Sequence, residues 1–315
     1  GPSTASIMDA QQHLMRHRAE RPALRVLRID DVGPALDGGK RLEGIRYTHE
    51  QTHGVTLYLH HPMANELSER TVLVTGASSG IGRAIALASA RAGADVALTF
   101  HTNEAGARAA EREIKALGQR AVVLAMDVTD PASVHDAALG ASKWLGRIDA
   151  WINNAGADIL TGAAVEMSTL DKLDLLLRVD LRGTMVASWE AMKLLSVQPD
   201  GGVVINMSWD HVVSGMPGLN PQMFAAVKGG VMAFSKSLAR SAAPKVRVNV
   251  LAPGWIQTAF GDNLESAAHQ SVADTIPLGR WGTPDDVAGA AVYLASRSAS
   301  YLTGQTIFIG GGSVM

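Results

Sequence analysis

The chain has no cysteine, which excludes disulfides, zinc–thiolate sites and thiol nucleophiles. A reducing, cytoplasmic setting is the expected one. Aromatic residues make up only 5% of the 315 positions, and there are four tyrosines: Tyr47, Tyr58, Tyr293 and Tyr301. No apolar run reaches the roughly 18–20 residues of a membrane span, so no membrane partner is expected. Neither sign of charge dominates: the formal net charge is -2 and no long basic run occurs, so nucleic acid is not an expected partner. No repeat or low-complexity tract is present.

What is present is a hydrophobic content of 47%, enough for a large α/β core. The composition changes near residue 65. Gly1-Pro2-Ser3 matches a protease scar from a tag, and residues 4–65, rich in Arg and His, read as an N-terminal extension. From 66 to 315 apolar strands alternate with Ala-rich helices, the pattern of a parallel sheet covered on both faces. Strands are expected at 71–75, 95–100, 121–126, 150–153, 202–207, 246–251 and 305–309, and helices at 80–92, 104–117, within 170–195 and at 225–242.

Between the first strand and first helix lies Thr75-Gly-Ala-Ser-Ser-Gly-Ile-Gly82. Gly76 permits a tight turn, Gly80 lets backbone approach a pyrophosphate, and Gly82 lets the helix pack on the strand. The helix N-terminus then presents free N–H groups to phosphate. After the second strand an acidic residue would bind a ribose 2′-hydroxyl and repel a 2′-phosphate. Here Thr99-Phe-His-Thr-Asn103 has no carboxylate before Glu104. His101, Thr102 and Ser78 offer hydrogen bonds and Arg83 offers charge, so NADP(H) is expected, with NAD(H) as the alternative.

The order of motifs over residues 70–315 resembles the short-chain dehydrogenase/reductase family, whose fold is a doubly wound parallel sheet of the Rossmann type. The glycine loop has that family's TGxxxGxG spacing, and Asn153-Asn154-Ala155-Gly156 resembles its NNAG element. The resemblance implies dinucleotide contacts from Ser78, Ser79, Ile81, Asp127 and Val128, and from Pro253, Gly254, Ile256 and Thr258. It implies that Lys228 orients the nicotinamide ribose. It also implies a homo-dimer or homo-tetramer built through the long helices, and a small-molecule substrate.

The same resemblance exposes departures. Phe224 stands four residues before Lys228, where the family has the tyrosine that gives or takes the proton. Asp180 stands at the supporting asparagine. In Asn206-Met-Ser-Trp-Asp-His211 the first of two serines is kept as Ser208, and the second, catalytic position is Trp209. Candidates for the proton are Ser208, Asp180, Asp210 and His211. A carboxyl in an apolar pocket acquires a raised pKa, and histidine titrates near neutrality. The expected activity is an atypical NADP(H)-dependent oxidation or reduction of a small carbonyl, an imine or a pterin. An iminium is already polarised for hydride without a tyrosine. The alternative is a dinucleotide-binding protein without turnover.

One motif falls outside this scheme. His49-Glu-Gln-Thr-His53 spells the HExxH zinc pattern, but Gly54 and the strand-like residues after it argue against the helix that pattern needs. No metal is expected.

Overall fold

The computed structural model describes residues 65–314, apart from 263. The N-terminal extension and its HExxH stretch lie outside the described residues. Seven parallel strands form one sheet in the order β3-β2-β1-β4-β5-β6-β7. They are β1 (Thr71–Val74), β2 (Asp95–Phe100), β3 (Ala121–Ala125), β4 (Ala150–Asn153), β5 (Gly202–Met207), β6 (Val246–Pro253) and β7 (Thr306–Ile309). The fold is the expected doubly wound α/β sheet, and the strand order reverses between β1 and β4. In such sheets ligands bind outside the carboxyl ends of the strands at that reversal.

Alternation along each strand feeds two cores. Val72 and Val74 of β1, Val96 and Leu98 of β2, and Ile152 of β4 join the layer made by helices α1 (Gly80–Arg91), α2 (Glu104–Ala116) and α9 (Pro284–Ala295). Leu73, Ala97 and Trp151 point the other way, into the layer made by α3 (Pro131–Leu145), α5 (Thr184–Leu195) and α6 (Leu219–Ala242). Successive strand side chains must face opposite sides, so a sheet covered on both faces needs apolar residues at every position.

The sequence reading assigned nothing to α3 or α9, or to the short α7 (Ala259–Asp262) and α8 (Ser266–Thr275). Both longer helices carry start signals. Asp130 caps α3 by accepting from Ala132 N, with Pro131 in the first turn. Thr283 and Asp286 form a reciprocal capping box on α9. The helix expected at 225–242 begins six residues earlier, at Leu219, after Gly218 in a left-handed conformation (φ 117°). Pro221 is tolerated in that first turn because its missing N–H has no helical partner there. Phe224 and Lys228 are therefore one helical turn apart on a common face.

The segment 170–195 is one long helical run with a widened centre. α4 (Thr169–Leu176) passes into a π-helical stretch, Leu177–Gly183, before α5 resumes. Such stretches are uncommon, and they re-aim the side chains within them. Gly183, its last residue, lets this turn pass close to Val128, whose Cγ2 would lie 2.8 Å from a Cβ there.

A buried polar network lies beneath the carboxyl ends of β4 and β5. Trp151 Nε1 donates to Asn153 Oδ1 (2.8 Å), and Asn153 Nδ2 donates to Asn206 Oδ1 (2.8 Å) and Ser188 Oγ (3.0 Å). Asn206 Nδ2 continues to Ser235 Oγ (2.8 Å), joining both strands to α5 and α6. Asn153→Ala would strand the Trp151 indole N–H in the core and leave Asn206 Oδ1 with only the longer bond from Ser188 Oγ (3.3 Å). At about 1–3 kcal/mol for a buried unpaired group, urea denaturation should show a loss of about 1–3 kcal/mol.

Candidate active site

At the carboxyl edge, where β1 meets β4, a cavity of about 850 Å³ runs from the glycine loop to the helix that carries Phe224 and Lys228. Its near end is built from Gly76, Ser78, Ser79, Gly80, Ile81 and Gly82. Gly82 is required by packing: a Cβ there would overlap Gly76 O and Asn154 Nδ2. Gly80, at φ 53°, has only Thr258 Cγ2 within 4 Å of a built Cβ, so the loop is open on its cavity side. Ser79 caps α1 without a side-chain hydrogen bond, and no acidic residue occupies that first turn. The leading N–H groups of α1 thus keep their donor capacity for an anion, which fits a dinucleotide pyrophosphate.

Asn154 locks this loop to β4. Its amide donates to Thr75 O (3.0 Å) and Gly76 O (3.1 Å), while Thr75 Oγ1 accepts from the backbone N–H groups of Asn154 and Ala155 (both 2.9 Å). Asn154, Ala155 and Gly156 line the cavity. On the opposite wall are His101, Thr102, Asn103, Asp127 and Val128. Although partial burial pulls the other way, hydrogen bonding from Thr129, whose N–H donates to Oδ1 at 2.8 Å, holds the Asp127 carboxyl below its ordinary range. His101 Nε2 lies 3.7 Å from Asp127 Oδ2. Arg83, expected to add charge toward a phosphate, pairs instead with Glu113 of α2 at 2.5 Å and does not line the cavity.

At the far end the widened turn of 177–183 delivers Asp180 inward. The carboxylate is 1% exposed; Oδ1 accepts from Ala157 N (2.7 Å) and Oδ2 lies 2.8 Å from Lys228 Nζ. Lys228 Nζ also approaches Met207 O at 3.5 Å. Gly156 passes so close that a Cβ on it would sit 3.2 Å from Asp180 Oδ2. Phe224, Ile159, Leu160 and Leu175 make this end largely apolar. Asp158 and Arg178 also face the cavity. Nothing in the sequence had singled them out, since a lone charged residue on a loop or a helix carries no spacing signal.

The remaining candidates lie off this cavity. Ser208 is buried and its hydroxyl donates to Lys228 O (2.9 Å), so its proton is committed to the helix backbone. Trp209, at the second serine position, is tilted against Phe224 (ring centroids 6.2 Å) and stacks on His211 (5.0 Å). His211 is therefore one ring removed from Phe224. Its Nδ1 lies 2.5 Å from Asp210 Oδ1. Asp210 is fully buried against Gly254 and Gly310, and its Oδ2 has no partner. Of the 253–258 segment, Thr258 lines the cavity. Ile256 sits in the core, and Pro253 and Gly254 lie where β6 packs on β7 and Asp210.

Comparison with known proteins agrees with this architecture. The profile of the family described as enoyl-(acyl carrier protein) reductase matches residues 76–313. An uncharacterized oxidoreductase of Methylorubrum extorquens is 35% identical over 79% of this chain and 99% of its own length. An L-rhamnose 1-dehydrogenase (NAD(P)(+)) of a Sphingomonas species is 34% identical over 78% of this chain and 96% of its own. Among solved structures, a short-chain dehydrogenase/reductase from Serratia marcescens superimposes with a TM-score of 0.72 at 30% identity, covering 79% of this chain and all of that one.

Two outcomes test the geometry. Gly82→Ala should weaken NAD(P)H binding at least tenfold in a fluorescence titration, because the Cβ must displace Gly76 or Asn154. The second concerns Asp210, whose pKa burial pushes up against the opposing hydrogen bond and charge of His211. A folded-state pKa above the unfolded one contributes stability that is complete below the unfolded value of about 4 and is lost as pH rises through the folded value. Asp210→Asn removes that titration, so denaturation should show the variant gaining on the parent as pH is raised from about 4 to 7.

Proposed function

Since the chain belongs to the short-chain dehydrogenase/reductase family, we propose that this oxidoreductase is NADP(H)-dependent and acts on a small carbonyl, imine or pterin-like substrate, with a protonated imine the reading that suits its site best. The observation that carries the choice is the far end of the cavity. Phe224 presents a ring without a proton, and Asp180 and Lys228 are committed to each other. A ketone needs an acid for the oxygen that becomes charged as hydride arrives. An iminium brings its proton with it, and its cationic character is compatible with the adjacent rings of Phe224 and Trp209.

The bound dinucleotide would supply hydride from its nicotinamide. The other tasks fall to this chain's own groups. The N–H groups opening α1 hold the phosphates, Lys228 orients the ribose, and Phe224 with Ile159, Leu160 and Leu175 keeps water from the reacting carbon. The preference for NADP(H) rests on the carboxylate-free end of β2, with His101, Thr102 and Ser78 facing the cavity. Assembly through α5 and α6 belongs to the same reading: Trp189, half exposed on α5, meets Phe234 of α6 edge-on at 6.0 Å.

The competing reading, dinucleotide binding without turnover, draws on the same missing hydroxyl. NADPH oxidation separates the two. With NADPH bound, a panel of cyclic imines, ketones and pterins should give turnover on an imine at least tenfold above any simple ketone. Binding without oxidation across the panel would favour the non-catalytic reading, and no binding of NADPH or NADH would reject both.

A further inference from the structure

We propose that Asp180 is a positioning residue whose carboxylate takes the counter-charge role at Lys228, so that the absence of a hydroxyl at position 224 and the presence of an acid at position 180 form one linked change. Three observations carry this. Lys228 Nζ and Asp180 Oδ2 are 2.8 Å apart, with side chains only 11% and 2% exposed. The second carboxylate oxygen is held by Ala157 N at 2.7 Å, so the acid cannot swing away without giving up that part-buried hydrogen bond. Phe224 lies one turn before Lys228 on the same face of α6, and both line the cavity.

The electrostatic consequence is specific. An ammonium beside a hydroxyl favours its ionised form, but a carboxylate on the same ammonium cancels that influence and adds a like charge. With Asp180 in place, a hydroxyl introduced at 224 would meet a neutral pair, and it would ionise no more readily than a phenol in water. Removing the charge at 180 frees the lysine to act on it. The other charged groups facing this end, Asp158 and Arg178 across the cavity and the Asp210–His211 pair beyond Trp209, are common to all the variants compared. They cancel in the difference.

The test is a pair of ultraviolet titrations of the tyrosinate band on the full chain. Phe224→Tyr is compared with the parent, and Asp180→Asn/Phe224→Tyr with Asp180→Asn, so that the four native tyrosines subtract out. The new phenol should titrate at about 10 or above in Phe224→Tyr, the ordinary tyrosine value. In the double variant it should be at least tenfold more acidic. Equal midpoints, or a low midpoint in Phe224→Tyr alone, would overturn the proposal. If Asp180→Asn does not fold, Phe224→Tyr still decides: a low midpoint refutes the linkage and an ordinary one supports it. The readout involves no substrate, so it stands whether or not turnover on imines is found. Among folded variants, ketone reduction should likewise rise at least tenfold only when both positions are changed.

Discussion

The carboxylate of Asp180 joins three parts of the chain that are distant in sequence. It sits in the widened turn between α4 and α5, accepts from the backbone just beyond β4, and pairs with a lysine on α6. Losing one partner of such a buried pair costs about 3–5 kcal/mol, because the other charge is then stranded. The cofactor loop depends on this arrangement indirectly. Asn154 clamps Thr75 and Gly76 from one side of the same short segment that Asp180 holds at Ala157. The glycine-loop end and the Lys228 end of the cavity are thus fixed by bonds only three residues apart.

Beneath that surface, the interior beside the site is unusually polar. The Asn153–Asn206–Ser235 network satisfies its members and ties β4 and β5 to two helices. Asp210 is the exception, with one oxygen on His211 and the other unpaired against two glycines. From Phe224 a row of rings leads outward through Trp209, His211, Trp255 and Trp281 to His269 on α8. In a chain with so few aromatic residues, this concentration builds a continuous aromatic wall beside Phe224. The departures at 180, 209 and 224 accordingly cluster about Lys228, at the end of the cavity away from the glycine loop.

The sheet and the cradle were legible in the chain because each rests on local rules. Strand runs such as Val72 to Val74 are apolar at every position since both faces are covered. Gly76 and Gly82 are spaced by the turn and by the contact each must make. The helices at 131–145 and 284–295 also carried cap signals, Asp130-Pro131 and Thr283 with Asp286, yet their alanine-rich faces blended into the surroundings. α6 starts six residues before the expected position, and Pro221 lies harmlessly in its first turn.

The catalytic end divides differently. That Phe224 carries no proton, that Asp180 brings a charge and that the end of β2 lacks an acid are properties of residue type, readable without coordinates. Which candidates meet was a matter of packing. Ser208 and Lys228 are 20 residues apart, and only the fold turns the serine hydroxyl to the lysine's carbonyl rather than to the cavity. Asp210 directly follows Trp209, but the turn after β5 buries its carboxylate against Gly254 and Gly310 while the indole leans toward Phe224. Residue type sets what a group is able to donate, accept or ionise. The direction in which it points, and the charge it finds there, come from contacts between segments that sequence order does not encode.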